Sequence, residues 1–432
     1  MSNWQKVKIG DFLFERKGRY KPNDEQIVNL PRIEKIDFGG NFHIGNKDSK
    51  TDMILIKDGD LVISGINVAK GAIGIYSGED VTATIHYSSY TFDSNKINVE
   101  YFKRFLKSSE FIELLNEQVK GGIKTEIKPK HILPLEIQLP DINTQAQIVQ
   151  HFENVEDDIA DVTKEVLKQE SLLKKLKQTI LQEAIEGKLT AKWRAKNPDI
   201  GTAKELLDQI KTEKEQLVKD KKIKASKLLA PINEDEIPFD IPPSWEWCKF
   251  GEIIYENPRN GYSPKTVDYK TEIKTLKLGA ITQGYFDTTQ IKYLDISIEK
   301  DSFLWLKKGD VLIQRSNSLE HVGMAGIYNL KDTNYIYPDL IMKCQVVQPV
   351  INYFIHKYLV SNFTREYFRN NASGAQQSMP KINQGTVTNL LVPLPPTEEQ
   401  KEIVATIEKL FTICDELESE INQNKTTVDN LM

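Results

Sequence analysis

Residues 57–63 of the chain read Lys-Asp-Gly-Asp-Leu-Val-Ile, and residues 307–313 read Lys-Lys-Gly-Asp-Val-Leu-Ile. In both segments a Gly-Asp pair comes directly before an apolar run, a pattern that is typical of a tight turn leading into a buried strand. A long pattern that occurs twice in one chain indicates internal repetition. We therefore expect two copies of one folding unit.

More of the chain follows the same repeat. Matching segments occur in the same order along both halves: 4–11 with 245–252, 74–76 with 326–328, 101–102 with 353–354, and 139–149 with 394–404. Within the halves, short β-rich runs are separated by Gly, Asn and Asp turns: 53–56, 61–63, 311–313 and 390–394. One helix is predicted in each half, over 100–119 and about 351–369. The fold class expected is α+β, with two similar mixed α/β domains.

A long amphipathic helix is predicted after each half. Apolar residues recur at alternating steps of four and three: Ile148, Phe152, Val155, Ile159, Val162, Val166, Leu173 and Leu176 in the first series, and Ile403, Ile407, Leu410, Cys414, Leu417, Ile421, Val428 and Leu431 in the second. Gln169 and Asn424 interrupt the two series at equivalent places. This spacing favours a coiled coil over an ordinary amphipathic helix packed on its own domain.

The helix boundaries also carry sequence signals. Thr144 with Gln147, and Thr397 with Gln400, have the spacing of a capping box. Between the halves, 187–198 is predicted to be a turn region, a charged helix is predicted from about 201 to 227, and the proline-rich segment 231–243 is predicted to be a linker. The expected domains are therefore 1–140, 141–240, 241–396 and 397–432.

Composition excludes several classes of protein. The chain has 432 residues, a net charge of −5 and three cysteines that form no CxxC pair, which argues against a disulfide framework or a zinc site. No apolar run is long enough for a membrane span, so a cytoplasmic protein is expected. The acidity lies mainly in 141–240 and 397–432, with net charges of −3 and −6, whereas 1–140 and 241–396 carry +1 and +3. A nucleic-acid partner for the two large blocks is therefore compatible with the overall charge.

Three segments resemble a known family. Residues 394–404, Leu-Pro-Pro-Thr-Glu-Glu-Gln-Lys-Glu-Ile-Val, resemble the most recognisable signature of the specificity subunits of type I restriction-modification systems. Residues 373–377 with 380–384 resemble the segment before that signature, and 178–194 resembles the central conserved region of the same proteins. Because these motifs and the repeat span most of the chain, the resemblance covers essentially all of it.

The resemblance implies an architecture and a function. The implied fold has two target-recognition domains, 1–140 and 241–396, separated by a pair of long antiparallel coiled-coil helices and related by pseudo-twofold symmetry; 141–240 would be the central conserved helical region and linker, and 397–432 the C-terminal conserved helix. Each recognition domain would read one half of a bipartite, asymmetric double-stranded DNA site, and the helices would set the spacer and dock two methyltransferase subunits. Motor-nuclease subunits would join the full complex. The chain itself is then not an enzyme and binds no cofactor, while S-adenosylmethionine, ATP and Mg²⁺ are expected on partner subunits.

Candidate DNA-binding residues fall in three pairs of segments. Arginine can read guanine and asparagine or glutamine can read adenine, and glycine-containing loops can approach a groove closely. A solvated loop, a turn and an ordinary glycine loop are the alternative interpretations of the three pairs. The candidates are Arg16, Lys17, Arg19 and Tyr20 against Asn257, Arg259 and Tyr262; Asn67 and Lys70 against Arg315 and Asn317; and Lys124, in the loop 120–124, against Gln376 and Gln377, in the loop 373–381.

Motifs for catalysis are missing from the sequence. Residues 257–260 lack the second proline and the aromatic residue of an amino-methyltransferase motif, no P-loop or glycine-rich cofactor loop occurs, and the six histidines show no metal-ligand spacing. Two functions stay open: a DNA-reading subunit without catalytic activity, and a coiled-coil scaffold without sequence-specific DNA contact. They differ in one observable, since only the DNA reader should bind duplex DNA with a steep salt dependence.

Overall fold

The structure is a computed structural model that describes residues 4–46, 49–66, 72–118, 127–226, 228–331, 334–347, 350–374 and 379–431. The chain divides into two compact units, Met1–Val162 and Thr163–Met432. Their boundary lies inside a long helix, so the domain limits at 140, 240 and 396 stay predictions.

The first unit consists of short strands and helices followed by the start of that long helix. Its described strands are β1 Gln5–Lys8, β2 Leu13–Glu15, β3 Arg32–Ile36, β4 Phe42–Gly45, β5 Met53–Ile56, β6 Leu61–Ser64, β7 Ile73–Ile75, β8 Val81–Thr84, β9 Tyr87–Phe92 and β10 Glu136–Leu139. Its described helices are α1 Val99–Phe105, α2 Ser109–Gln118 and α3 Pro129–Ile132, and α4 Ile142–Ile185 continues into the second unit.

The second unit begins with helices and then has strands in a similar succession. Its described helices are α5 Ala191–Lys196, α6 Ala203–Lys219, α7 Asn352–Leu359, α8 Asn362–Asn370, α9 Gln384–Thr388 and α10 Thr397–Leu431. Its described strands are β11 Glu246–Lys249, β12 Arg259–Asn260, β13 Ile273–Leu276, β14 Ile291–Leu294, β15 Val311–Gln314, β16 Ala325–Ile327, β17 Tyr335–Ile336, β18 Ile341–Cys344 and β19 Leu391–Leu394.

Strand order is the same in the two units. The ladder β1-β10 corresponds to β11-β19, the sheet β2-β9-β6-β7 corresponds to β12-β18-β15-β16, and the order β4-β3-β8 corresponds to β14-β13-β17. In the last pair of sheets, β3 with β8 and β13 with β17 are the parallel neighbours. The strand β5, which pairs with β8, has no counterpart among the described strands of the second unit. Apolar segments at matched positions of the sequence thus form matched sheets.

The repeated Gly-Asp turns open the central strands β6 and β15. Gly59 and Gly309 adopt φ values of 78° and 97°, a left-handed conformation that glycine reaches without a Cβ clash. The aspartates that follow, Asp60 and Asp310, are buried and accept the backbone N–H of Lys57 and Lys307 at 3.0 and 2.8 Å. The turn residues therefore determine where each buried strand begins.

A buried glutamine fixes the start of the long helix in each unit. The Gln145 side chain donates to the Pro140 carbonyl at 2.8 Å and accepts the backbone N–H of Asn98 at 2.7 Å. Gln400 donates to the Pro395 carbonyl at 2.8 Å and accepts the N–H of Ile351 at 2.9 Å. Each glutamine thus ties the end of a β-strand, a long helix and the segment that enters α1 or α7.

Replacing either glutamine should weaken its own unit. Gln145→Ala and Gln400→Ala each leave a buried N–H and a buried carbonyl without a partner, so we expect each to lower the free energy of unfolding by about 2 kcal/mol. Hydrogen exchange resolved along the chain measures this, with faster exchange in β1 and β10 for the first variant and in β11 and β19 for the second. Gln150→Ala, on the exposed face of α4, is the control. Equal exchange in all three variants would contradict the assignment.

The two long helices run antiparallel within the second unit. Lys177 of α4 pairs with Asp415 and Glu418 of α10 at 2.9 and 2.7 Å, and Glu170 of α4 pairs with Lys425 of α10 at 2.8 Å. The later residue of α4 thus lies beside the earlier residues of α10, as expected for antiparallel helices. We call the two apolar series predicted for α4 and α10 the predicted seam. From this seam, Val166 and Leu173 of α4 are buried, as are Cys414 and Ile421 of α10.

Several local predictions were wrong. The helices predicted over 100–119 and 351–369 are each two helices in the described residues, because Ser108 and Ser361 accept N–H groups and cap a second helix, α2 or α8. The charged helix ends at Lys219 and not near 227, since Lys221 adopts a left-handed φ of 57°. The turn region 187–198 contains α5.

The predicted capping boxes were also wrong. Asp141, not Thr144, caps α4 by accepting the backbone N–H and the hydroxyl of Thr144 at 2.9 Å each. The Gln400 side chain does not form the predicted capping box at the start of α10, because its amide donates to the Pro395 carbonyl. In both cases a competing buried or local hydrogen bond replaces the one that the spacing predicted.

Candidate nucleic-acid interface

Backbone hydrogen bonds bring several loop segments together at one end of the sheet β12-β18-β15-β16. The N–H of Gly261 donates to Ile341 at 3.2 Å, and the N–H of Arg315 donates to Leu340 at 2.8 Å. The N–H of Ile382 donates to the Arg315 carbonyl at 2.9 Å. The neighbouring residue Lys381 pairs with Ser373 through backbone hydrogen bonds. We call the segments 261–263, 315–317, 338–341, 373–374 and 380–382 the loop edge.

Three of the predicted DNA-binding residues lie on the loop edge. Tyr262 is exposed, whereas Arg315 and Asn317 are half-buried. Asn317 donates its amide to the Gln314 oxygen at 2.8 Å and accepts the N–H of Ser318 at 2.8 Å. Because an amide has two N–H groups and two lone pairs, the bonds to Gln314 and Ser318 use one donor and one acceptor of Asn317 among the described residues. Gln376 and Gln377 lie outside the described residues.

Asn257 and Arg259 lie toward the opposite end of the same sheet. Asn257 is exposed, and the Arg259 guanidinium pairs with Glu256 at 2.6 Å and lies 5.0 Å from the centre of the Phe303 ring. Both line a small cleft of about 100 Å³ that Lys343 also lines. The structure therefore separates the predicted residues of the second half into two groups.

Strand register shows which residues of the two units are equivalent. Arg16 donates its N–H to Ser89, which pairs with Val62 in the β6-β9 ladder. Arg259 pairs with Lys343, which pairs with Leu312. Because residues 62 and 312 match in the repeated heptapeptide, Arg16 is equivalent to Arg259. The sequence comparison, which set 16–21 against 257–262, was therefore wrong by two residues.

Arg16 has a structural partner in the first unit. Its Nε and Nη2 atoms donate to the two carboxylate oxygens of Asp60, both at 2.6 Å, and the Ser89 hydroxyl also donates to Asp60 at 2.7 Å. The hydrogen bonds that Arg16 donates to Asp60 raise the pKa of Arg16 above its usual value. This bidentate pair holds the start of the loop on which Lys17 and Arg19 are exposed and Tyr20 is half-buried.

The second unit satisfies the equivalent aspartate differently. Asp310 accepts from Gln345 at 3.0 Å and lies 3.6 Å from the Lys343 ammonium. Lys343 also donates to the carbonyls of Phe303 and Trp305. Burial raises the pKa of Asp310 and lowers that of Lys343. Asp310 does not bind Arg259, whose guanidinium instead pairs with Glu256 and lies over the Phe303 ring.

The first unit has the same backbone scaffold at the end of β6. The N–H of Gly65 donates to His86, and the N–H of Ile127 donates to Gly65, both at 2.8 Å. These bonds correspond to those that Arg315 makes with Leu340 and Ile382. The predicted residues Asn67, Lys70 and Lys124 follow or precede these segments, and they lie outside the described residues.

Two supporting residues were missed by the sequence interpretation. Gln314 is fully buried and donates to the Leu278 carbonyl at 2.8 Å and to the Thr282 hydroxyl at 2.7 Å while holding Asn317. Its position just before Arg315 was the signal that could have identified it. Arg365, on α8, contacts the loop that follows Asn317, and no sequence pattern marks it because the contact joins distant segments.

The described residues also bear on metal binding, on membrane spans and on the cysteines. No cluster of metal-binding side chains occurs among the described residues. Within the same ranges, no helix is both long and apolar enough to cross a membrane. The three cysteines are free and buried.

Sequence comparisons identify relatives. Residues 242–424 match the family model of the type I restriction modification DNA specificity domain. The chain is 31% identical to the type I restriction enzyme EcoEI specificity subunit of Escherichia coli over 60% of this chain and 43% of the relative. It is 26% identical to the EcoAI specificity subunit of Escherichia coli over 94% of this chain and 77% of the relative. The chain thus spans less than half of the first relative and about three quarters of the second.

Solved structures share the fold. A chain from a study of complex assembly and conformational transition of the type I R-M system aligns over 99% of this chain and 95% of its own length, with a TM-score of 0.62 and 15% identity. The HsdS subunit from Thermoanaerobacter tengcongensis aligns over 99% of this chain and 94% of its own length, with a TM-score of 0.56 and 16% identity. At these identities the likeness concerns the fold.

The resemblance that three sequence segments indicated is therefore confirmed. Residues 242–424 match the type I restriction modification DNA specificity domain, and most of the chain is similar in sequence to specificity subunits of type I restriction enzymes.

Proposed function

We propose that the chain is the DNA sequence-specificity subunit of a type I restriction-modification complex and that each unit reads one half of a bipartite, asymmetric site. The observation that carries this proposal is a repeated scaffold with different side chains at equivalent positions. Gly65 and Arg315 have matching backbone hydrogen bonds at the end of β6 and β15, yet one has no side chain and the other has a guanidinium. Two copies of one reader that differ at the same edge suit two different half-sites.

The long helices suit the role of a spacer between the readers. α4 has 44 residues, which corresponds to about 66 Å at the usual helical rise. Its antiparallel ion pairs with α10, together with the buried Val166 and Leu173, support a coiled coil over the part of α4 that lies in the second unit. In this proposal, the internal duplication gives the chain its pseudo-twofold symmetry and the helices set the unread gap.

The same helix offers a surface for partner subunits. Phe152, Val155 and Val162 of the predicted seam are exposed on α4, among acidic residues. Exposed apolar rows of this kind favour contact with another protein. We assign this surface to methyltransferase subunits, two per complex, with motor-nuclease subunits joining the larger assembly in the cytoplasm. Catalysis belongs to those partners, together with S-adenosylmethionine, ATP and Mg²⁺.

The second candidate function, a scaffold without sequence-specific DNA contact, is separated from the first by duplex binding. The complex with its methyltransferase is titrated with a duplex that carries the methylated motif and with a scrambled duplex at several salt concentrations. A DNA reader prefers the motif at every salt concentration and loses affinity steeply as salt rises. Equal and salt-insensitive binding of both duplexes would favour the scaffold.

Arg315→Ala should affect only one half of the recognised site. Loss of a bidentate contact to a base costs about 1–3 kcal/mol, so we expect methylation to become about 5- to 150-fold less selective at one position of the second half-site. The same direction is expected for Arg259→Ala, with effects confined to the second half-site. Single-molecule sequencing of methylated DNA measures both.

Lys308→Ala is the control for these variants because Lys308 is exposed, carries the same charge and lies at the other end of β15 from Arg315. It should leave the methylated motif unchanged. An unchanged motif in Arg315→Ala would remove this residue from the reading surface, and an altered first half-site would contradict the assignment of the second unit to the second half-site.

A further inference from the structure

A buried arginine lies on α8 behind the loop edge. Arg365 is 3% exposed, and the charged neighbour that acts on it in the described part of the chain is another cation, Arg369. Burial lowers the pKa of Arg365 to about 10, so the guanidinium is still protonated at neutral pH. A buried charge without a carboxylate is costly, and its stabilisation must come from other groups.

Those groups are carbonyls of one loop. The Nη1 atom of Arg365 donates to the Val322 carbonyl at 2.6 Å, and Nη2 donates to the Glu320 carbonyl at 2.7 Å. The rigid fork of a guanidinium fixes two acceptors relative to each other, which a single ammonium does not do. Arg365 therefore determines the shape of the loop 318–323.

A second residue of the same helix supports this loop. Gly323 adopts a φ of 75°, and a Cβ built there would lie 2.4 Å from the Phe368 ring. Phe368 is fully buried one turn after Arg365. The loop thus rests on two side chains of α8, one polar and one apolar.

The loop continues directly from the predicted reading residues. The N–H of Gly323 donates to the Gln314 carbonyl at 2.7 Å, and the N–H of Val322 donates to the Ser318 carbonyl at 2.9 Å. These bonds close the segment from Gln314 to Gly323, which contains Arg315 and Asn317. A change in the backbone at 320–322 is therefore passed to the position of both side chains.

The fold shared by the two units does not require this arginine. Ser108 caps α2 as Ser361 caps α8, so the residue four positions after each cap is equivalent. In the first unit that residue is the half-buried Ile112. An apolar side chain thus suits the same helix position where a different loop is present.

We propose that Arg365 is a positioning residue of the second unit, which holds the loop 318–323 so that Arg315 and Asn317 face the second half-site. The inference rests on the proposed function. It adds a determinant of DNA specificity that does not itself contact DNA.

The test uses Arg365→Met and Arg365→Lys in the complex assembled with its methyltransferase. Methionine removes the buried charge, and with it the desolvation cost, at similar volume, but it leaves the Val322 and Glu320 carbonyls without these donors, so only a small change in thermal stability is expected. Lysine keeps the charge but lacks the planar fork that fixes the two carbonyls relative to each other. Both variants should lose about 10-fold in selectivity at the second half-site and keep the first half-site unchanged, as read by sequencing of methylated DNA. Loss of stability together with an unaltered motif in both variants would show a merely structural role and overturn the proposal.

Arg369→Met is the matched control, since it removes the same charge from the exposed face of the same helix. It should leave the motif intact, and an equal effect of Arg369→Met would mean that charge and not loop position is responsible. The wild-type complex is measured first. A wild type without a split motif defeats the proposed function itself, whereas a split motif that survives Arg365→Met and Arg365→Lys defeats only the role of Arg365.

Discussion

Glu399→Ala is expected to lower the free energy of unfolding of the second unit by about 3–5 kcal/mol, because it removes the acceptor of a buried charged network. Glu399 is 0% exposed. Its carboxylate accepts from the Thr190 hydroxyl at 2.7 Å, from Arg194 Nε at 2.9 Å and from the Trp245 indole at 2.9 Å. The network ties α5, the segment that enters β11 and the first turn of α10.

Hydrogen exchange under mild denaturant measures this loss, with faster exchange expected in β11, β19 and the start of α10. Glu398→Ala is the control: its carboxylate pairs with Lys401 on the exposed surface, where an ion pair contributes little. In a double-mutant cycle, Arg194→Met should cost less once Glu399 is gone. A change below about 1 kcal/mol in Glu399→Ala would show that the network does not hold the unit together.

Asp60→Asn is expected to destabilise the first unit by about 3 kcal/mol or more. Asp60 is 1% exposed and accepts from both Arg16 nitrogens, the Ser89 hydroxyl and the Lys57 N–H. An asparagine of the same size directs an N–H₂ group at one of these donors, and it leaves Arg16 with only the weaker electrostatic attraction of Asp80. Arg16→Met should cost less, because Asp60 keeps Ser89 and Lys57.

The same variant should separate the two half-sites functionally. Release of Arg16 frees the loop that carries Lys17 and Arg19, so Asp60→Asn should lose selectivity at the first half-site and keep the second. Asp80→Asn is the control, since Asp80 is half exposed and its Lys57 pairing is long, at 3.8 Å. If Asp60→Asn changed stability and selectivity no more than Asp80→Asn, the structural role of Asp60 would be contradicted.

The sequence predicted the parts of this fold that depend on local patterns. The repeated Gly-Asp turn with its apolar run predicted β6 and β15, because a left-handed glycine and a buried run both leave a local signature. The period of the apolar residues predicted α4 and α10 in the same way. The spacing of the apolar residues did not predict that each shorter helix is divided in two. The division depends on a single serine, Ser108 or Ser361, which caps the second helix.

The site depended on contacts between distant segments, which a single sequence does not display. Arg259 and Arg315 were both predicted to bind DNA, but strand register places Arg259 beside Lys343 and Arg315 beside Leu340. The equivalence of Arg16 and Arg259 likewise emerged from the ladders. Arg365 is separated from its loop by more than forty residues, so only the folded chain shows what it holds.

The central claim is that one chain reads two different DNA half-sites at a fixed separation. The most direct measurement is to co-express the chain with its methyltransferase subunit and to map methylated positions on the host DNA by single-molecule sequencing. We expect two short defined sequences separated by an unread gap of constant length. Methylation at a single uninterrupted sequence, or a methyltransferase that co-purifies with the chain and methylates without sequence preference, would contradict it.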